Sequence, residues 1–149
     1  MMRIALGTVA ACLLFTATGF SSEIKATTRL TVASTALPES IEITDPAVLA
    51  LSNVFAGAFI GAPASEPGDG LTRYTVTFDI QTLQGVKADA YVVEFCVDEM
   101  TGEGFVYLPG RDDPPYRRNV STILRTGRDG MWHHAAPEWS DAIRPFLIR

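Results

Sequence analysis

Alternation of apolar and polar residues marks the strands of this chain. Each such stretch places its apolar side chains on one face of an extended segment, which is the pattern of a half-buried strand. The clearest is residues 73–80, where large apolar residues alternate with Arg, Thr and Asp. The segments that predict strands are residues 41–43, 73–80, 87–97, 104–108 and 131–135. Residues 120–126 fit either a strand or a helix.

A helical spacing of apolar residues follows Asp45. The Asp45 carboxylate can accept hydrogen bonds from the free amides of a first helical turn, and Pro46 has no amide to leave unpaired. The apolar residues then recur at intervals of three and four, which predicts one long helix that ends at about Phe59. A short helix is predicted to begin at Pro137 and to be interrupted at Pro145.

Together these elements predict an α+β fold. One long helix would pack on an antiparallel sheet of three to five strands, with a short helix near the carboxyl terminus. Residues 41–149 are expected to form this single domain. Residues 20–40 are rich in Thr, Ser and Ala without a sustained period, and they predict a flexible leader.

The first residues have the pattern of a signal peptide. Arg3 precedes a run without charge, and small residues fit a cleavage site after Gly19. We therefore expect residues 1–19 to be removed and the mature chain to be secreted or periplasmic. Two alternatives stay open: the apolar run remains as an anchor, or Cys12 becomes the lipid-bearing terminus of a lipoprotein.

Composition and charge narrow the function classes. The chain has 149 residues, is 47% apolar and 19% charged, and carries a net charge of −5. These values exclude a disordered or collagen-like chain and argue against nucleic acid as a partner. Residues 39–103 carry a net charge of −9 and residues 104–149 one of +2, which two complementary packed halves would explain. The second explanation is an anion-binding edge of Arg117, Arg118, Arg125 and Arg128.

Residues 46–65 form an uncharged stretch as long as a membrane span. Its Pro, Ser, Asn and Gly residues lower its hydrophobicity, so we expect the helix to be buried against the sheet. Membrane contact is expected only if the signal is retained or if the helix of residues 46–62 is exposed.

The segment Gln-Thr-Leu-Gln-Gly at residues 81–85 lies between two predicted strands. It resembles the Gln-x-Val-x-Gly hairpin of cystatins, which inhibit papain-like cysteine proteases, and the preceding order of helix and strand is similar to theirs. The resemblance implies a wedge of Gln81, Leu83 and Gly85 that enters a protease cleft. Trp132 is a further candidate binding residue. It departs from the cystatin pattern, because Met131 precedes it where the family has a proline.

The two histidines of the chain, His133 and His134, are the candidates for an enzyme. Adjacent residues of a strand point to opposite faces, so we expect neither a shared metal ion nor a cofactor. A small secreted hydrolase that uses one of them is the alternative function, without a motif to support it. The sequence favours a non-catalytic module that binds a protein or a small anionic ligand. The candidate binding residues are Gln81, Leu83, Gly85, Trp132, Arg117 and Arg118.

Two single residues carry further expectations. Cleavage after Gly19 leaves Cys96 without a second cysteine, and its position in a strand predicts a buried thiol. Asn119 begins an Asn-Val-Ser sequon, which matters only if the host glycosylates exported proteins.

Overall fold

The computed structural model describes residues 25–119 and 127–148, so the predicted signal peptide lies outside the described residues. In chain order the elements are β1 (Thr27–Ala33), β2 (Ile41–Ile43), α1 (Pro46–Leu51), β3 (Ile60–Pro63), β4 (Arg73–Thr82), β5 (Gly85–Val97), β6 (Gly104–Leu108), α2 (Tyr116–Asn119), β7 (Met131–Ala135) and α3 (Pro137–Leu147). The strands of the described ranges form one antiparallel sheet in the order β2-β1-β4-β5-β6-β7-β3. All five strands predicted by alternation are confirmed, as β2, β4, β5, β6 and β7.

The start of α1 is confirmed. Asp45 accepts hydrogen bonds from the amides of Ala47 and Val48 at 2.9 and 3.2 Å, and Pro46 occupies the first helical position. The carboxylate thus satisfies two of the amides that a helix leaves free at its first turn.

The predicted α+β fold, with one long helix on a sheet of three to five strands, is wrong. α1 has only six residues, and the sheet has seven strands. The Ser52 hydroxyl donates to the Val48 carbonyl at 2.7 Å, and the Asn53 side chain accepts from the amides two and three residues ahead. Such local bonds compete with those of a helix. The apolar residues at helical spacing therefore belong to two structures, α1 and the turn that leads into β3.

Part of the segment predicted to be a flexible leader is a strand inside the sheet. β1 lies between β2 and β4, and it pairs Leu30 with Phe78 and Val32 with Val76. Leu30 and Val32 are fully buried. The threonines of this segment obscured its pattern, although their branched side chains favour an extended backbone.

The core lies on one face of the sheet, which we call the inner face; the opposite one is the outer face. Phe78 of β4 stacks on Phe59 with ring centroids 5.2 Å apart. Trp139 of α3 contacts Phe95 edge-on at 5.0 Å and Phe59 at 5.4 Å. The inner face also includes Leu30, Val32, Tyr74, Val76, Tyr91, Val93, Val106 and Leu108.

A buried serine joins the two helices of the inner face. The Trp139 indole donates to the Ser52 hydroxyl at 2.9 Å, and the Thr27 hydroxyl donates to the Ser52 carbonyl at 2.5 Å. Ser52 also donates to the Val48 carbonyl of α1, so its single hydroxyl proton is used. The residue that ends α1 early therefore fixes α3 and β1 around the core.

Pro137 begins α3 as predicted, but Pro145 lies inside the helix rather than interrupting it. No helix of the described ranges combines the length and the apolar character that crossing a bilayer requires. An interfacial role for residues 46–62 would need Phe55, Phe59 and Ile60 at the surface; Phe59 and Ile60 are buried, and Phe55 is partly buried.

Candidate functional site

The tip of the β4–β5 hairpin carries the predicted wedge. Its loop has two residues, because Thr82 pairs with Gly85 across the ladder. The Thr82 hydroxyl donates to the Gly85 carbonyl at 2.7 Å and accepts from the Gln84 amide at 3.2 Å. The Gln81 side chain donates to the Thr82 carbonyl at 3.0 Å. Side-chain hydrogen bonds therefore hold the tip in one conformation.

Gly85 contributes to this tip through its backbone conformation. Its φ of +111° is one that residues with a side chain rarely adopt. No atom lies within 4 Å of the position that a β-carbon would take, so space is not the constraint. A substitution would strain the bend and place a new side chain in solvent.

The tip exposes apolar surface. Leu83 is 85% exposed and Val86 is 60% exposed, whereas the large apolar residues of the inner face are buried. Burial of one such side chain against a partner stabilises a complex by about 1.5–3 kcal/mol. Residues 81–86 include no charged side chain, so a partner could cover them without removing a charge from water.

Trp132 does not join this tip. It lies on the outer face of β7, in register with Tyr107 and, through it, with Glu94 of β5. Glu94 lies nine positions after Gly85 along β5, which is about 30 Å of extended strand. Trp132 is also only 7% exposed. The structure thus brings Gln81, Leu83 and Gly85 together and places Trp132 elsewhere.

Trp132 belongs instead to a group that we call the Arg73 cluster: Glu66, Arg73, Glu94, Tyr107 and Trp132. The Arg73 guanidinium lies 5.0 Å from the Trp132 ring centroid and forms ion pairs with Glu94 at 2.8 Å and Glu66 at 3.2 Å. The hydrogen bond to Glu94 raises the pKa of Arg73. The Tyr107 ring lies 5.3 Å from that of Trp132. The cluster thus covers the part of the outer face around Trp132, and its Arg73 charge is already paired with Glu66 and Glu94.

The described residues include three of the four arginines of the predicted anion-binding edge. Arg117 and Arg118 are neighbours in the four-residue helix α2, and both are exposed. Within the described ranges neither guanidinium forms an ion pair. Arg125 lies outside those ranges, and Arg128 is exposed while its carbonyl contacts His133.

The two histidines lie on opposite faces of β7, as predicted. His133 is buried, with Nε2 at 3.1 Å from the Arg128 carbonyl, and its Nδ1 has no partner in the described part. His134 is half-exposed, with Nδ1 at 2.8 Å from a Glu103 oxygen. No hydroxyl or thiol in the described chain is hydrogen-bonded to His134, so the hydrolase alternative stays a prediction. Residues 25–119 and 127–148 also contain no group of acids, histidines and cysteines that could hold a metal ion.

Cys96 and Asn119 both have structural positions. Cys96 is a buried free thiol in β5, as predicted, and burial raises its pKa to about 11, which opposes formation of a reactive thiolate. The Asn119 amide donates to the Val92 carbonyl and accepts from the Val92 amide, each at 2.8 Å. The Asn119 side chain is therefore buried and hydrogen-bonded in the folded chain.

Sequence reasoning missed a groove at the other end of β5. We call it the α3 groove; its polar lining is Thr101, Glu103, His134, Ser140, Asp141 and Arg144. Its volume is about 780 Å³, within the range of small-molecule sites. The one available signal in the sequence was the spacing of Ser140, Asp141 and Arg144, which places these polar residues near one another on a helix.

Comparisons with known proteins assign no relative to this arrangement. A scan against protein-family models, a search of curated proteins and a search of solved structures each found no match. The function is therefore argued from the geometry of the tip and from the residues that form it.

Proposed function

We propose that this chain is an exported, non-catalytic binding module that inhibits a papain-like cysteine protease by inserting the tip of the β4–β5 hairpin into its active-site cleft. The observation that carries the proposal is the exposure of Leu83 at a tip held by the hydrogen bonds of Thr82 and Gln81. Burial of apolar surface drives such binding, and no cofactor is needed.

The shape of the tip supports this mode of contact. Its loop is two residues long, and Gly85 beside it has no side chain, so a narrow cleft could accept it. Because the tip is already held by hydrogen bonds, binding would order few additional groups, and this limits the entropic loss on association. The proposal concerns the hairpin alone and does not require the fold of the cystatins.

Inhibition of papain tests the proposal. Purified full-length chain is titrated against papain with a chromogenic peptide substrate, and we expect inhibition at micromolar concentration. Leu83→Asp should weaken inhibition at least about tenfold, because a charge would replace the apolar side chain that the cleft buries. Gly85→Arg should weaken it as well, because the bend is strained and the new side chain obstructs entry.

Met100→Asp is the matched control. Met100 is an exposed apolar residue, but it follows the opposite end of β5, and the same substitution there should leave inhibition unchanged. Absence of inhibition at micromolar concentration would overturn the proposal. Equal loss in the Leu83 and Met100 variants would overturn it too, because the contact would then not depend on the tip.

A further inference from the structure

The α3 groove lies at the opposite end of β5 from the hairpin tip. One wall is a face of α3, where Ser140, Asp141 and Arg144 follow at helical spacing. The facing wall is the turn from β5 to β6, with Thr101 and Glu103, together with the end of β7. The β5 strand has 13 residues, so the groove and the tip are up to about 40 Å apart. A ligand in the groove would not compete with a partner at the tip.

Each wall of the groove carries a polar pair. Glu103 Oε1 lies 2.8 Å from His134 Nδ1, and Asp141 Oδ1 lies 2.8 Å from Arg144 Nη2. Each carboxylate uses one oxygen in its pair. Arg144 likewise retains donors beyond the one that Asp141 accepts, since a guanidinium has five. Each wall can therefore accept a hydrogen bond at a carboxylate oxygen, and α3 can also donate from Arg144.

The loop opposite Arg144 gives its guanidinium room. Gly102 has a φ of +75°, and a β-carbon there would lie 3.1 Å from Arg144 Nη1. A residue with a side chain at position 102 would strain the turn and press on the guanidinium. The glycine thus leaves space for the Arg144 guanidinium beside the turn.

A buried hydroxyl in this lining has no partner. Ser140 is 2% exposed, and its Oγ makes no hydrogen bond to any described residue. Gly104 packs closely on it, because a β-carbon at that position would lie 2.5 Å from Ser140 Oγ. The oxygen is enclosed by this packing, so the hydroxyl lies behind the lining of the groove and does not contact a ligand there.

The charges select the chemistry of the ligand. A purely anionic ligand would meet Arg144 but also two carboxylates, and a purely cationic one would meet the carboxylates but also Arg144. A ligand with both charges can place a carboxylate at Arg144 and an ammonium at the free oxygens of Glu103 and Asp141. We infer that the α3 groove binds a small zwitterion of the size of a short peptide, with these three residues as its contacts.

Triglycine and its two blocked forms test this inference. Binding to the full chain is measured by calorimetry for triglycine, for N-acetyltriglycine, which keeps only the carboxylate, and for triglycine amide, which keeps only the ammonium. We expect triglycine to bind at least about tenfold more tightly than either blocked form, since each blocked form loses one set of charge-assisted hydrogen bonds. Equal binding of the three peptides, or no binding of triglycine at millimolar concentration, would refute the inference.

Variants locate the site. Arg144→Gln should weaken the binding of triglycine at least about tenfold, whereas Arg111→Gln, which removes an exposed arginine outside the groove, should leave the affinity unchanged. Ser140→Ala is a second control that should leave the affinity unchanged, because its enclosed hydroxyl does not contact the ligand. Triglycine that binds equally to the Arg144 and Arg111 variants would contradict the assignment. The papain assay is independent of these results.

Discussion

The two tryptophans of the chain lie on opposite faces of the same sheet and are buried by different interactions. Trp139 is fully buried on the inner face, between Phe59 and Phe95, and its indole donates to Ser52. Trp132 lies on the outer face and is covered by the Arg73 guanidinium. The inner face is thus closed by apolar packing, and the outer face by charges placed over an aromatic ring. Salt and pH should therefore affect the outer face and leave the inner face unchanged.

The largest expected effect is the loss of the inner tryptophan. Trp139→Ala should lower the free energy of unfolding by about 3–5 kcal/mol, because it leaves a cavity among three elements and removes the partner of the Ser52 hydroxyl. Urea unfolding measures the change. Trp132→Ala is the matched substitution on the outer face, and we expect a smaller loss. An equal loss in the two variants would contradict the comparison of the faces.

The second effect concerns a buried carboxylate beside the outer face. Asp79 is buried and accepts from Arg29 Nε at 2.8 Å and from the Asp89 amide at 2.9 Å. Asp79→Ala should lower the free energy of unfolding by about 2 kcal/mol, because it leaves an amide and a guanidinium without their acceptor. Asp141→Ala breaks an exposed pair and should lower it by less than about 1 kcal/mol. Similar losses in the urea unfolding of the two variants would show that burial does not matter here.

A smaller effect should separate charge from packing in the Arg73 cluster. Arg73→Met keeps an apolar stem over Trp132 but removes the ion pairs with Glu94 and Glu66, and we expect a loss of about 1 kcal/mol. Unfolding is compared at low and high sodium chloride. The original chain should lose stability with salt more steeply than the variant, because salt screens partly exposed pairs. Identical salt dependence would assign the role of Arg73 to packing alone.

The smallest effect is a change in pH dependence at alkaline pH. Burial, with the hydrogen bond to Asp113, raises the pKa of Tyr107 from 10.0 to about 12. The unfolded chain loses this proton near pH 10 and the folded chain near pH 12, so the stabilisation is complete below pH 10 and declines as the pH rises towards 12. Tyr107→Phe should therefore flatten the fall in unfolding free energy over this interval. An unchanged slope would show that Tyr107 titrates alike in both states.

The strands could be predicted from the sequence because one face of each is buried, and burial imposes alternation. The long helix could not, because apolar spacing alone does not reveal that Ser52 and Asn53 bind the backbone and end α1. β1 was missed because threonine occupies positions in an interior strand where alternation is usually read from larger residues. The pattern of apolar residues therefore predicted the strands that pack by apolar contacts. It did not predict the end of α1 or the strand β1, where Ser, Asn and Thr side chains are prominent.

The candidate sites also differ in how far the sequence could predict them. Residues 81–85 are close in sequence and remain together at the hairpin tip, so local reasoning was sufficient for them. Trp132, the further candidate binding residue, lies elsewhere on the sheet, and its place depends on the order of the strands. The α3 groove joins a turn near residue 102 with a helix near residue 141, and no local pattern relates the two.

The position of Asn119 has a practical consequence for producing the protein. Its side-chain nitrogen is the atom to which an N-linked glycan is attached. In the folded chain this nitrogen donates a hydrogen bond to the Val92 carbonyl. A secretory host that modifies chains during synthesis would reach Asn119 before that bond forms, and the glycan would displace Asn119 from Val92. Ser121→Ala removes the sequon and keeps the asparagine, so it is the substitution to make before expression in such a host.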